Sequence, residues 1–248
     1  MHHRVSAIVL KGFDYKETDQ ILTLFSREMG KVKGIAKGVK KPKSTLRGAV
    51  QPFCYSSLYL VTSKDIFIVS QGKIEDFFGG IREDLNKTLQ AIYIMELLDK
   101  SMVDRDPNPA LFDFSLKILR SLAEGNLNPL LLRFYEIRIM KLLGYAPVLT
   151  NCSHCGQDRA LTHFSLRTGG AVCTGCALQV SSSKISPAAL AVMRTLLEKD
   201  FMVLSRLKVT PAIESEVEIV LEGYLEYYLE KKFNLKSVLK DFKSGRLH

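Results

Sequence analysis

Residues 152–176 have the sequence CSHCGQDRALTHFSLRTGGAVCTGC, in which two Cys-x-x-Cys pairs are separated by 17 residues. Pairs at this separation place four thiolates where two tight turns can close a tetrahedron around one Zn²⁺ ion. Gly156 and Gly175 give these turns a permissive backbone, and the polar linker predicts a small hairpin over residues 161–166. The stretch therefore predicts a zinc ribbon whose ligands are Cys152, Cys155, Cys173 and Cys176.

Other uses of these cysteines fit the sequence less well. A thioredoxin-like redox pair needs a βαβ unit beside it, which the pattern lacks, and disulfides are disfavoured in the cytoplasm. Four sulfur ligands leave no open position for substrate, so the zinc is expected to be structural. The zinc deaminase signature is absent. His154 could replace a ligand, although the cysteine set is already complete, and Cys54 reads as a small core residue.

The composition is that of an ordinary globular chain with a basic surplus. Its 248 residues suffice for one to two domains, and the hydrophobic and charged fractions are 46% and 25%. No apolar run is long enough to predict a transmembrane helix, and the start has no signal-peptide pattern. We therefore expect a cytoplasmic protein that does not enter membranes.

The basic surplus is concentrated in one part of the chain. The formal net charge is +9, and residues 1–80 contribute 13 basic against 7 acidic side chains. Such a patch points to a polyanion, here the phosphate backbone of a nucleic acid, with a solvated loop as the alternative. The residues predicted to bind the nucleic acid are Arg27, Lys31, Lys33, Lys37, Lys40, Lys41, Lys43 and Arg47.

Alternating hydrophobicity predicts about five short strands in the first 80 residues, with no helix between most of them. This pattern suits a small antiparallel barrel such as an OB-fold, and an SH3-like barrel fits nearly as well. Five aromatic side chains of this region could stack on bases or belong to the core. The five predicted strands and the five aromatic residues are, in that order, 5–9, 21–25, 32–39, 53–61 and 66–69, and Phe13, Tyr15, Phe53, Tyr55 and Tyr59.

From residue 81 the period becomes helical, and it is interrupted only by the cysteine stretch. Helices are predicted at 85–98, 109–123 and 132–142, then again from Pro187 behind Ser186 and over 213–228. The predicted fold class is α+β, an OB-like barrel followed by an all-α domain that a zinc ribbon interrupts. Its segments are 1–80 (barrel), 81–149 (helical), 150–184 (ribbon) and 185–248 (helical).

The sequence carries no recognisable enzymatic motif. Walker A, G-x-G-x-x-G, H-E-x-x-H and G-x-S-x-G patterns are all absent, so neither nucleotide binding nor catalysis is predicted. Two alternatives stay open: a zinc-ribbon enzyme that modifies nucleic acid through residues without a motif, and an adaptor that binds only proteins.

The order of these parts resembles the RecO family of bacterial recombination mediators. The resemblance is carried by the segment Leu143–Pro147 leading into Cys152–Gly156, by Ser186-Pro187, and by Ala7–Leu10 followed by the Tyr15–Asp19 region. Gly30-Lys31-Val32 and Ala36-Lys37-Gly38 fit it as well, and the likeness spans essentially the whole chain.

This resemblance implies an N-terminal OB-fold, a helical remainder with a four-cysteine zinc site, and a role in DNA repair and recombination through the RecF pathway. It implies binding to single- and double-stranded DNA, annealing of complementary strands and association with the nucleoid. It also implies that the protein works with RecR to load RecA onto DNA coated by single-strand-binding protein, whose acidic tail would contact the helical part. Arg133 and Arg138 are the candidate anchors for that tail.

Overall fold

The computed structural model describes residues 1–64, 66–125 and 127–233. The chain divides into two compact units, one of Met1–Asn126 with Phe233–His248 and one of Leu127–Lys232. Asp65 and Asn126, expected in a turn and a connector, lie outside the described residues, as does the end of the predicted C-terminal helical segment, 234–248. The segment boundaries inferred from the sequence remain a prediction.

The first unit is built on a barrel of five strands. The strand order β1-β2-β3-β5-β4 closes on itself because β4 also pairs with β1. All pairs are antiparallel except the short parallel contact of β3 with β5. This arrangement confirms the predicted five-stranded, OB-like barrel. The strands are β1 His2–Tyr15, β2 Asp19–Ser26, β3 Gly30–Ala36, β4 Tyr55–Val61 and β5 Phe67–Asp76.

The barrel closes because one set of side chains from each strand turns inward and fills it. In β3, Val32, Gly34 and Ala36 are buried while the residues between them are more exposed, as a strand with one core face requires. Gly30 precedes them with a φ of +68°, and a Cβ there would collide with the backbone of Asp106. The barrel core contains Val5, Ala7, Val9, Leu22, Leu24, Val32, Ala36, Val39, Leu46, Ala49, Val50, Leu58, Leu60, Phe67 and Val69.

Among the strand ends, only that of β4 at Val61 matches the predicted bounds; β1 and β2 extend beyond the predicted 5–9 and 21–25 at both ends. Strand β3 stops at Ala36 and not at Val39, and β4 begins at Tyr55 because Phe53 has a left-handed φ of 52° that strand geometry does not allow. Strand β5 continues to Asp76. The second half of β5 is polar and therefore lacks the alternation of apolar and polar residues that predicts a strand. Its extended conformation is stabilised by pairing with β4.

Helices cover part of the outside of this barrel. They are α1 Gly79–Arg82, α2 Leu85–Ser101 and α3 Pro109–Glu124. The side chains of Asp84 and Asn108 cap α2 and α3 by accepting N–H bonds from the first turns. The ring of Phe112 on α3 packs edge-on against Phe25 of β2 at 5.3 Å. Phe233 returns to this unit and packs edge-on against Tyr93 of α2.

The second unit is a group of helices that carries the cysteine stretch. It contains α4 Leu131–Leu142, β6 Leu161–Ser165, β7 Gly170–Cys173, β8 Ser183–Lys184, α5 Pro187–Glu198 and α6 Pro211–Leu229. Helix α5 begins as expected, with Ser186 as its cap and Pro187 in its first turn. Strand β6 lies between β7 and β8 in a small sheet, and Phe164 of β6 packs edge-on against Tyr224 of α6.

None of the helices in the described part of the chain has the length and apolar character needed to cross a membrane.

Candidate metal centre and candidate nucleic-acid interface

The four cysteines of the 152–176 stretch meet at one point of the second unit. Their sulfur atoms all lie within 4.8 Å of one another, and His154 is not part of the cluster. Cys152, Cys173 and Cys176 are buried and Cys155 is exposed. A tetrahedral zinc site with Zn–S bonds of about 2.3 Å has sulfur separations of about 3.8 Å, so the donor set suits such an ion.

Two tight turns bring these sulfurs together. In the first, the N–H of Gly156 donates to the carbonyl of Cys152 at 2.8 Å, and Gly156 has a φ of +73° that favours glycine. In the second, the N–H of Cys176 donates to the carbonyl of Cys173 at 3.1 Å. Strands β6 and β7 form the hairpin between the turns, as the sequence predicted for residues 161–166.

The backbone around Cys152 favours its thiolate. Burial alone opposes ionisation, but N–H groups of Cys155, Cys173 and His154 point at the sulfur and outweigh it, which lowers the pKa of Cys152 to about 6. Burial and the neighbouring thiol of Cys173 raise the pKa of Cys176 to about 12. One preformed thiolate among four clustered sulfurs is a good starting point for binding a cation, because metal ligands must be deprotonated.

The eight basic residues predicted to bind DNA all lie in the first unit, but four of them are engaged within the protein. Lys31 is only 13% exposed; its Nζ donates to the carbonyl of Asp99 at 2.7 Å and lies 3.3 Å from the carboxylate of Asp104. Arg27 makes two bonds of 2.9 Å to the carboxylate of Asp113. The ammonium of Lys40 lies 2.7 Å from the carboxylate of Asp14.

Arg47 has an internal role as well. Its guanidinium donates to the carbonyls of Val39 and Lys40, and to that of Lys41 at 3.1 Å. These bonds tie the end of the segment 37–47, which we call the basic loop, to its beginning.

The other four residues are exposed to solvent. Within the described ranges, none of their ammonium groups lies within 4 Å of a carboxylate oxygen, so their positive charge is not neutralised by a salt bridge. We call this set the free lysines: Lys33, Lys37, Lys41 and Lys43.

The basic loop is held against the tip of the β1–β2 hairpin. The N–H of Gly38 donates to the carboxylate of Asp19 at 2.8 Å, and the N–H of Lys40 donates to the carbonyl of Thr18 at 3.0 Å. The N–H of Gly38 lowers the pKa of Asp19, and the side-chain ammonium of Lys40, which donates to the carboxylate of Asp14, lowers the pKa of Asp14. The hairpin tip and the basic loop therefore form one connected structure.

The structure separates the five aromatic candidates. Phe13 and Tyr15, both on the β1–β2 hairpin, and Tyr59 on β4 are exposed. Phe53 is buried beneath the guanidinium of Arg82, which lies 4.1 Å from its ring centroid, and Tyr55 is half-buried against Phe112. Phe53 and Tyr55 are therefore packed within the protein.

Sequence reasoning missed Lys11 and Lys16, whose ammonium groups each lie 5.4 Å from an exposed ring, that of Phe13 and that of Tyr15 respectively. Lys11 could have been identified from the sequence, because it alternates with Phe13 and Tyr15 at the end of β1 and alternate positions of a strand share a face. Lys16 follows in the turn with a left-handed φ of 56°.

The expected role of Arg133 needs correction. Its side chain is 3% exposed, and its guanidinium contacts the carboxylates of Glu136 at 3.0 Å and Glu218 at 3.1 Å. A buried cation held by two carboxylates has no face to offer an acidic peptide. Arg138 is half-buried, stacks over Phe134 and donates to the carbonyl of Lys199, so only part of it is accessible. Burial lowers the pKa of Arg138.

By its fold, the chain is an α+β protein with an OB-like barrel and a helical part that carries a four-cysteine cluster. Family models match both parts: "Recombination protein O N terminal" over residues 1–78 and "Recombination protein O C terminal" over residues 82–237. The chain belongs to the RecO family of DNA repair proteins, and a role in DNA repair and recombination follows from that membership.

Individual relatives agree over nearly the full length. A protein of Syntrophomonas wolfei is 42% identical over 244 residues, which cover 98% of each chain. A protein of Desulforamulus reducens is 39% identical over 93% of this chain and 91% of its own. A protein of Bacillus subtilis is 33% identical over 91% of this chain and 89% of its own. All three are named DNA repair protein RecO.

Proposed function

We propose that this chain is a non-enzymatic recombination mediator that binds single- and double-stranded DNA and anneals complementary strands. In this proposal it works with RecR to load RecA onto DNA coated by single-strand-binding protein. The observation that supports DNA binding most directly is the set of free lysines, which are exposed on an OB-like barrel and make no salt bridge to a carboxylate of the described residues.

The free lysines and the engaged basic residues have different tasks in this proposal. Arg27, Lys31, Lys40 and Arg47 hold the barrel, the helices and the basic loop together. The free lysines are the groups that can release counterions from phosphates, which is the main source of sequence-independent affinity for DNA.

Annealing follows from the same chemistry. Two complementary strands repel each other through their phosphates, and a cationic surface that neutralises both lowers this repulsion. Contacts made mainly to the backbone are tolerant of sequence, so the strands can slide until their bases pair. No nucleotide hydrolysis is needed for this step.

The partner contacts of the proposal belong to the helical part. An acidic peptide such as the tail of single-strand-binding protein would need an accessible cation, and of the two arginines first considered only Arg138 retains exposed surface. Arg133 contributes to the stability of this unit instead.

We further propose that Cys152, Cys155, Cys173 and Cys176 hold one structural Zn²⁺ ion. Four sulfur donors within 4.8 Å of one another and two Cys-x-x-Cys turns favour zinc over harder cations, which prefer oxygen ligands. When bound, the ion would cross-link the two turns and would leave no coordination site for chemistry.

The DNA-binding proposal is tested by reversing the charge of the free lysines together, as Lys33→Glu, Lys37→Glu, Lys41→Glu and Lys43→Glu. Binding of a fluorescent single strand is measured by anisotropy at several salt concentrations. We expect the affinity to fall about 100-fold or more, and the slope of log affinity against log salt to shrink by about 3, because four phosphate contacts are lost.

The matched control carries the same change of net charge at four exposed lysines elsewhere, as Lys64→Glu, Lys73→Glu, Lys199→Glu and Lys208→Glu. It should retain most of the affinity and nearly the full salt slope. Equal losses in the two variants would mean that overall charge, and not this surface, attracts DNA. Absence of DNA binding by the unmodified protein at low salt would favour an adaptor that binds only proteins.

A further inference from the structure

We infer that Phe13 and Tyr15 form a stacking site for the unpaired bases of single-stranded DNA, and that this site lets the barrel distinguish a single strand from a duplex. The inference rests on the proposed DNA-binding function and assigns the base-contacting part of the same surface. It is carried by the register of β1, β2 and β3, by the exposure of the two rings and by the position of the free lysines.

The register places both rings on the outer face of the barrel. Phe13 lies opposite Ile21, which lies opposite Ile35, and Lys11 lies opposite Thr23, which lies opposite Lys33. Residues directly opposite each other in a sheet point to the same face. Phe13, Tyr15 and Lys33 therefore project from one face, while Leu22, opposite Gly12, belongs to the barrel core.

The helices leave the Phe13–Tyr15 end of this face open. Near the middle of the strands, the outer face is covered where Asp99 of α2 binds Lys11 at 2.5 Å and where Phe112 of α3 packs on Phe25. Beyond that cover, the Phe13 side chain is 58% exposed and that of Tyr15 is 40% exposed. Two large aromatic surfaces in succession thus remain in solvent at the end of a strand.

The spacing of the rings suits an extended strand. Positions two apart on a strand are separated by about 7 Å, twice the rise of about 3.4 Å per nucleotide in B-form DNA. Neighbouring bases of a stacked helix would not reach both rings, and the faces of paired bases are already occupied by their neighbours. Bases that have been drawn apart in a single strand can stack on both rings.

Cations lie where the phosphates of such a strand would run. The ammonium group of Lys16 lies 5.4 Å from the ring centroid of Tyr15. That of Lys11 lies 5.4 Å from the ring centroid of Phe13, but Asp99 binds it, so Lys16 is the flanking group that can meet a phosphate. Strand β3 lies two strand spacings away from β1, or about 10 Å, and carries Lys33, with Lys37 one residue past its end. Half-buried Ile21 of β2 lies between these two strands, and half-buried Ile35 lies opposite it on β3, so the site has an aromatic side, an apolar floor and a cationic side.

The chain contains no tryptophan, so a single tryptophan at the site reports stacking directly. We would measure the emission of the Phe13→Trp variant during titration with a thymidine homopolymer and with a duplex of equal length. Binding is followed in the same samples by anisotropy of a label on the DNA. We expect the single strand to quench the emission by about half or more at saturation, and the duplex to leave it nearly unchanged.

The matched control is Tyr59→Trp, at an aromatic position of β4 whose 39% exposure is close to that of Tyr15. Its emission should change little although the anisotropy shows the same binding. In addition, Phe13→Leu with Tyr15→Leu should weaken single-strand binding about tenfold or more and change duplex binding less than about twofold.

The possible results separate the inference from the function on which it rests. Saturating anisotropy with unchanged Phe13→Trp emission, or equal losses of single-strand and duplex affinity in the leucine variant, would overturn the stacking site and leave DNA binding intact. No anisotropy change with either DNA would overturn the proposed function and the stacking site together.

Discussion

The guanidinium group of Arg47 donates to carbonyl oxygens of Val39, Lys40 and Lys41, whereas the ammonium group of Lys41 is free in solvent. Both residues belong to the same basic run, and the sequence gives no means of telling them apart. The difference arises from the fold of the loop, because the carbonyl groups of residues 39–41 point towards the side chain of Arg47. At the residue scale, a basic side chain can therefore either hold the loop in its conformation, as Arg47 does, or stay available to contact DNA, as we propose for Lys41.

This difference leads to a prediction for Arg47→Ala and Lys41→Ala. Removal of Arg47 takes this donor away from the carbonyls of Val39 and Lys40, so it should lower the free energy of unfolding by about 1 kcal/mol. Removal of Lys41 should leave stability unchanged but reduce the salt slope of single-strand binding by about 0.7, the value of one phosphate contact.

Chemical denaturation and anisotropy titrations of the two variants check these values. If Arg47→Ala also reduced the salt slope by that amount without loss of stability, Arg47 would be a DNA contact and not a loop anchor.

At the scale of elements, the sequence predicted most of the structure where local signals are strong. Ser186-Pro187 marks a helix start, and the two Cys-x-x-Cys pairs mark the turns that the structure brings together. The sequence-based prediction failed where contacts between distant parts of the chain determine the structure. The second half of β5 is polar and exists through pairing with β4, and Lys31 is engaged by Asp99 and Asp104, about seventy residues away along the chain.

Removal of the proposed metal should destabilise the cysteine-containing stretch and leave the barrel unchanged. With the ion stripped by a chelator, the four thiols lose their cross-link, so amide hydrogen exchange at Val172 and Cys173 should accelerate about 100-fold or more. Exchange at Leu22 and Leu24 in the barrel should not change. Release should also become easier as the pH falls, because protons compete with the metal for thiolates.

The control is Cys54→Ser, since Cys54 lies in the first unit and outside the cluster. This variant should retain one Zn²⁺ per chain by metal analysis, and Cys152→Ser should not. Full metal content in Cys152→Ser, or unchanged exchange after chelation, would contradict a structural zinc site.

At the scale of the whole molecule, the basic surplus and the four-cysteine cluster belong to different compact units. The free lysines and the two exposed rings lie in the first unit, and the cysteines and Arg138 lie in the second. The proposed function therefore places DNA contact and partner contact in separate parts of the chain. The net charge of +9 indicated a polyanionic partner, but only the fold selected the four lysines that remain free to meet it.

The most direct test of the account is the rate at which two complementary, fluorescently labelled strands anneal with the unmodified protein, the variant with all four free lysines reversed, and its charge-matched control. The unmodified protein and the control should accelerate annealing at low salt and lose this effect as salt rises, and the free-lysine variant should not accelerate it. Equal acceleration by both variants would contradict the claim that this surface brings the two strands together.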